Sequence, residues 1–169
     1  MKNTFYLFAL VFLLFSCKNS TTDNIKFQDL EPITLKQFKK KNVALNSALR
    51  FLNENEESVI FNKVEYDVFV DGKNVGTYID KTNEKVAKNG VYKIDLPANF
   101  SPEKAFTDLD YGIAKIKSDI VAEVKYEGYF TITDSNKKEE EVKFSKVQKV
   151  LFSNNKKLKL DENGTIIEK

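Results

Sequence analysis

The stretch Ile120-Val121-Ala122-Glu123-Val124-Lys125-Tyr126-Glu127-Gly128-Tyr129-Phe130-Thr131-Ile132 decides the fold class of this chain. Its apolar set, Ile120, Ala122, Val124, Tyr126, Phe130 and Ile132, alternates with Glu123, Lys125, Glu127, Tyr129 and Thr131. Successive side chains of a strand point to opposite faces, so this period of two predicts a half-buried strand. The same pattern extends outward in both directions. Val64, Tyr66, Val68 and Val70 alternate with Glu65 and Asp67, and Asp71-Gly72-Lys73-Asn74 turns the chain into Val75, Thr77 and Ile79. Val43, Leu45, Ser47, Leu49 and Phe51 share one face opposite Asn46 and Arg50, while Ile33 and Leu35 lie in an earlier strand. Tyr92, Ile94 and Leu96 alternate with Lys93 and Asp95, and Asp134-Ser135-Asn136-Lys137 leads into Val142 to Phe152. Seven strands punctuated by turns predict an all-β, antiparallel β-sandwich, each sheet dry on one face and wet on the other.

One helix is expected among the strands. Ser101 is a candidate N-cap, Pro102 suits the first helical position, and Phe106, Leu109, Ile113 and Ile116 fall on one helical face. After Phe152 the residues are polar. Leu158, Leu160, Ile166 and Ile167 flank Asp161-Glu162-Asn163-Gly164 and allow two readings, a small hairpin or a polar tail.

The start of the chain has a different character. Lys2 precedes an apolar run from Phe5 to Phe15. The run is shorter than the roughly 20 residues of a membrane span and matches the apolar region of a signal peptide. It ends in Leu14-Phe15-Ser16-Cys17, a bacterial lipobox pattern with a bulky residue before the small one. Cys17 is the sole cysteine, so no disulfide explains it. The expectation is a thioether to diacylglycerol plus further acyl chains such as palmitate, more than one chain being needed for stable anchoring. Lys18 in place of Asp favours the outer membrane as the site of attachment. The expected organisation is a signal peptide over 1–16, a tether over 17–26, a sandwich over 27–152 and a tail or hairpin over 153–169.

Composition narrows the chemistry. The 27 basic and 25 acidic residues are interspersed and leave a net charge of +2, which gives no nucleic-acid footprint. Arg50 is the sole arginine, so bidentate recognition of phosphate or carboxylate has almost no donor. The chain has no histidine, which removes Ser-His-Asp and Cys-His catalysis and nearly all zinc sites. Its six glycines are scattered singly and form no phosphate loop. No catalytic residue, cofactor site or metal site is expected.

The segment from Leu45 to Pro97 resembles the type 2 late embryogenesis abundant family, also called the water stress and hypersensitive response domain. Leu49-Arg50-Phe51-Leu52-Asn53-Glu54-Asn55 stands where that family has a strand ending in Asn-Pro-Asn. Val64-Glu65-Tyr66-Asp67-Val68-Phe69-Val70-Asp71-Gly72-Lys73-Asn74-Val75-Gly76 matches its next strand and turn, and Ile94-Asp95-Leu96-Pro97 a third. Val124 to Gly128 is similar to its strand with an internal glycine. Glu54 departs from the family's proline. The resemblance spans roughly residues 27–152. It implies a seven-stranded sandwich of fibronectin or immunoglobulin type with a helix, no catalytic residues, and, for bacterial members, frequent lipid anchoring.

Four surface features remain. Lys39-Lys40-Lys41 could touch anionic head groups and lies near the tether in sequence, though a solvated turn is the plainer reading. Glu139-Glu140-Glu141 could hold a cation or simply decorate a strand start. Asp108 and Asp110 are two apart, which keeps them off a common helix face. Phe69 and Tyr129 fall on otherwise polar faces. Three functions follow for comparison: a membrane-held binding or structural module without enzymatic activity, a carrier of an apolar ligand such as a lipid, and an enzyme working through carboxylate, lysine or tyrosine, for which no motif speaks.

Overall fold

The computed structural model describes residues 24–106 and 119–168. Ten strands and one short helix run in the order β1 (Ile25–Leu30), β2 (Thr34–Lys39), β3 (Asn42–Asn53), β4 (Val59–Val70), β5 (Lys73–Val86), β6 (Val91–Phe100), α1 (Pro102–Ala105), β7 (Ile120–Thr133), β8 (Glu139–Phe152), β9 (Leu158–Leu160) and β10 (Ile166–Glu168). All pairings are antiparallel. One sheet has β3 at its centre, with β6 along one side and β1 and β2 in succession along the other. The second sheet has the order β5-β4-β7-β8, and β9 and β10 form a separate hairpin.

The fold is the all-β sandwich expected, with more strands than seven. β1 and β2 lie on the same side of β3, Ile25 opposite Asn53 and Lys39 opposite Asn42, with a break at Glu31-Pro32-Ile33. Pro32 cannot donate to a ladder, and Glu31 bonds from its N–H to the Ala48 carbonyl at 2.7 Å instead. β1 takes up Ile25 and Lys26, two residues placed in the tether by sequence. In the C-terminal segment β9 and β10 pair as a small hairpin, with Leu160 opposite Ile166.

Within the described residues the helix is a single turn. α1 ends at Ala105, Phe106 is already non-helical, and the Ser101 side chain makes no capping bond. Leu109, Ile113 and Ile116 lie outside the described residues. Thr131 also departs from expectation: it is buried, and its hydroxyl has no partner among the described residues.

The core lies between the sheets and is knitted by rings from both. Near the N-terminal end, Phe51 of β3 stacks on Phe130 of β7 at 4.8 Å between ring centres and meets Phe61 at 6.2 Å. Near the far end, Phe38 of β2 meets Phe152 of β8 at 5.8 Å and Phe106 at 6.2 Å. Between them Tyr78, Tyr66 and Tyr126 form a stacked row across β5, β4 and β7, at 5.3 and 5.7 Å. Gly128 sits in this row because a Cβ there would run into the Glu65 carbonyl and Tyr66.

Side chains close both open flanks of the sandwich. Tyr66 donates to the Pro97 carbonyl at 2.6 Å and Tyr78 to the Asn99 carbonyl at 2.8 Å, capping the outer edge of β6. On the opposite flank Gln148 of β8 accepts from the Ile33 N–H at 2.9 Å and donates to the Ile33 carbonyl at 3.2 Å. Lys146 donates to the Leu30 carbonyl beside it. The break in the first strand is thus where the two sheets are joined.

Candidate functional site

A shallow groove of about 690 Å³ lies on the outer face of the second sheet. Its floor comes from the outward residues of β4, β7 and β8: Glu65, Asp67, Lys125, Glu127, Tyr129, Lys143 and Ser145. The register lines them up, Glu65 opposite Tyr129 and Tyr129 opposite Lys143, then Asp67, Glu127 and Ser145 in the next row. Tyr129 donates to a Glu65 carboxylate oxygen at 2.7 Å and accepts from Lys63 at 3.0 Å. The Tyr129 hydroxyl, and then Lys63, hold the Glu65 carboxyl below its ordinary range. The Tyr129 contact likewise raises the Lys63 ammonium. Asp67 accepts from Thr77 at 2.5 Å and Asn74 at 3.2 Å, and Lys125 pairs with Glu127.

These groups satisfy one another. Lys63 stands 5.0 Å from the ring centre of Tyr129 and Lys125 5.5 Å from that of Phe69, so the two aromatics flagged by sequence each carry a cation. The groove offers a mosaic of mutually bonded charged and polar groups, with the Tyr129 hydroxyl held between Glu65 and Lys63. Among the described residues no group of three or more His, Cys, Asp or Glu side chains is placed to hold a metal ion, and no helix is long and apolar enough to cross a membrane.

The other candidates separate in space. Cys17, Asp108 and Asp110 lie outside the described residues. Glu139, Glu140 and Glu141 alternate along the start of β8, and Glu140 pairs with Lys138. Lys39-Lys40-Lys41 forms the β2–β3 turn, opposite the end where β1 begins. The intervening length of β3 is about 36 Å at ~3.3 Å per residue, which separates this turn from the start of β1.

The N-terminal end is organised by Asn53, a position sequence reading placed in a turn without seeing its reach. Its side-chain amide donates toward the carbonyls of Glu57, Val86 and Ala87 at 3.0–3.2 Å. Its side-chain oxygen accepts from the Asn55 backbone at 3.1 Å and side chain at 2.8 Å. The Glu54 N–H donates to the Asn24 carbonyl at 2.8 Å, and the Glu54 carboxylate pairs with Lys26 at 2.8 Å. A proline at 54 could not make the backbone bond.

Fold and surface together define a small antiparallel β-sandwich module. Solved structures of the same architecture include the solution structure of a protein described as a candidate late embryogenesis abundant (LEA) protein, with a TM-score of 0.56 and 10% identity over 76% of this chain and 70% of that one. A protein from Arabidopsis thaliana matches with a TM-score of 0.53 and 13% identity over 75% of this chain and 79% of that one. A protein from Archaeoglobus fulgidus matches with a TM-score of 0.54 and 10% identity over 74% and 96%. No family model and no curated protein matches the chain. At such identities the likeness is one of fold.

Proposed function

We propose that this chain is a lipid-anchored sandwich of the type 2 late embryogenesis abundant kind, working in the cell envelope as a binding or structural module without enzymatic activity. The observation that carries the reading is the closed core: Phe51, Phe61 and Phe130 touch across the sheets at one end, and Phe38, Phe106 and Phe152 at the other. A carrier needs an apolar cavity of several hundred Å³ for its ligand. Among the described residues the space between these sheets is filled by rings, and the groove of about 690 Å³ lies open on the outer face of a sheet. The anchor rests on Leu14 to Cys17 and places the module at a membrane, with Lys18 favouring the outer one.

Two readouts test the proposal. Cells fed a labelled fatty acid should label the wild-type chain and leave Cys17→Ser unlabelled and released from membranes; an unlabelled wild type removes the anchor. In a titration with an apolar dye and with uncharged monomeric lipid, wild type should show no saturable binding, and Phe130→Ala, which empties a fully buried site, should lose about 3–5 kcal/mol in a urea melt. Stoichiometric lipid uptake by wild type, with a small stability loss in Phe130→Ala, would favour the carrier.

A further inference from the structure

Among the described residues, the far end of the sandwich carries a concentration of lysines without ion-pair partners. Lys39, Lys40 and Lys41 occupy the β2–β3 turn, Lys36 stands one side chain back on β2, and Lys156 and Lys157 project from the loop after β8. All six are exposed. Lys36, Lys39 and Lys156 line one groove of about 280 Å³ together with Ser153 and Asn154, and no carboxylate contributes to its wall. Among the described residues none of the six has an ion-pair partner within 4.0 Å. Asp119, on the same end, accepts a hydrogen bond from the Ser153 hydroxyl and keeps its charge, so one carboxylate stands behind the groove wall against six lysines. The opposite end treats lysines differently: Lys26, Lys88 and Lys138 pair with Glu54, Glu56 and Glu140. Like charges gathered without counter-charges repel one another in the free protein, and an opposing surface relieves that repulsion.

We propose that this lysine-rich end docks on a bilayer surface bearing anionic lipid phosphates. Its chemistry distinguishes that partner from other polyanions. The cations are lysines on turn and loop tips, point charges that can meet a plane together. The groove offers neither the arginine forks nor the exposed aromatic platforms that grip individual phosphates and bases. Each lysine close to an anionic membrane strengthens binding by roughly fivefold. The docking end lies opposite the start of β1, so a chain tethered through its N-terminus would present it away from its own membrane. The lysine surface itself does not depend on that tether.

The test is co-sedimentation of the full-length chain with phosphatidylcholine vesicles and with mixed phosphatidylcholine–phosphatidylglycerol vesicles. The apolar leader is common to every variant, so the quantity read is the preference for the anionic vesicles. Wild type should show a strong preference that falls with added salt. Lys39→Gln/Lys40→Gln/Lys41→Gln should lose it by about a hundredfold and Lys156→Gln/Lys157→Gln by about 25-fold. Lys81→Gln/Lys85→Gln, on exposed β5 positions elsewhere, should keep it. Circular dichroism checks each variant, and the two lysine groups sit on separate segments, so failure of one variant to fold leaves the other to decide. No anionic preference in wild type, an undiminished preference in a folded lysine variant, or tighter binding to inorganic polyphosphate or duplex DNA than to the vesicles overturns the proposal.

Discussion

Asn53 has no exposed surface, yet its amide group joins the β3–β4 loop to the β5–β6 turn through three donated and two accepted contacts. Each buried carbonyl it serves would lose a partner in Asn53→Ala, and an unmet buried polar group costs about 1–3 kcal/mol. The expected outcome is a loss of about 3 kcal/mol in a urea melt, with faster exchange of the Asn55 amide. A loss below about 1 kcal/mol would mean that water replaces the side chain readily. The residue scale was partly legible. Two asparagines flanking residue 54 signalled a turn, since such side chains bond nearby backbone. That the same side chain would reach Val86, 33 positions away, depends on which strands become neighbours, and no local signal carries that. Glu54 shows the same limit. Its difference from proline read as the loss of a rigid turn, while in space its N–H fastens Asn24.

Among the elements, β3, β4, β6, β7 and β8 follow from alternation because each keeps one face toward the core over most of its length, whereas β5 buries only Val75 and Val86 and leaves Ile79, expected on the face of Val75, exposed beyond a register shift. β1 escaped notice for a physical reason: only its two ends, Ile25 and Leu30, are buried, and a register shift between Phe27 and Asp29 breaks the period. Thr131 was assigned to the wet face by parity and is buried, directly opposite Lys63 at the register shift between Phe61 and Lys63 on the neighbouring strand. The turn at Asp71-Gly72 was legible because both residues take positive φ, 47° and 76°, which that pair tolerates. What alternation cannot show is how two sheets meet at their edges. Gln148 stands on an edge strand and looks like any solvated glutamine in sequence, yet it completes the hydrogen bonds of Ile33. Gln148→Leu should cost about 2 kcal/mol by stranding both groups. The Ile33 amide should then exchange faster, with that of Leu45 unchanged. Equal rates at Ile33 in both proteins would show that this contact does not join the sheets.

For the molecule as a whole, charge and burial set the pH range of the folded state. Lys93, with Arg50, depresses the Glu31 carboxyl; Lys88 depresses that of Glu56, and Tyr129 and Lys63 that of Glu65. A depressed carboxylate stabilises the fold above its ordinary value of 4.5, and this support is lost as pH falls through that value and below. Burial raises Tyr66, Tyr78, Tyr92 and Tyr126 above the ordinary 10.0 of a phenol. Their contribution is complete below 10.0 and declines as pH rises past it. Melting temperature should therefore be flat between these limits and fall on both sides. On the alkaline side tyrosinate absorbance should lag and then climb together with loss of the strand signal in circular dichroism; independent, gradual ionisation of these phenols would contradict their packing. The fastening of Asn24 to Glu54 has a mechanical side as well. β1 begins at the end where the chain enters and runs antiparallel to β3, whose hydrogen bonds cross the strand axis at right angles. A pull on Asn24 along that axis, away from the sandwich, loads the β1–β3 bonds together in shear instead of opening them one after another. The domain's first strand is thereby built as a clamp, able to bear tension applied at Asn24.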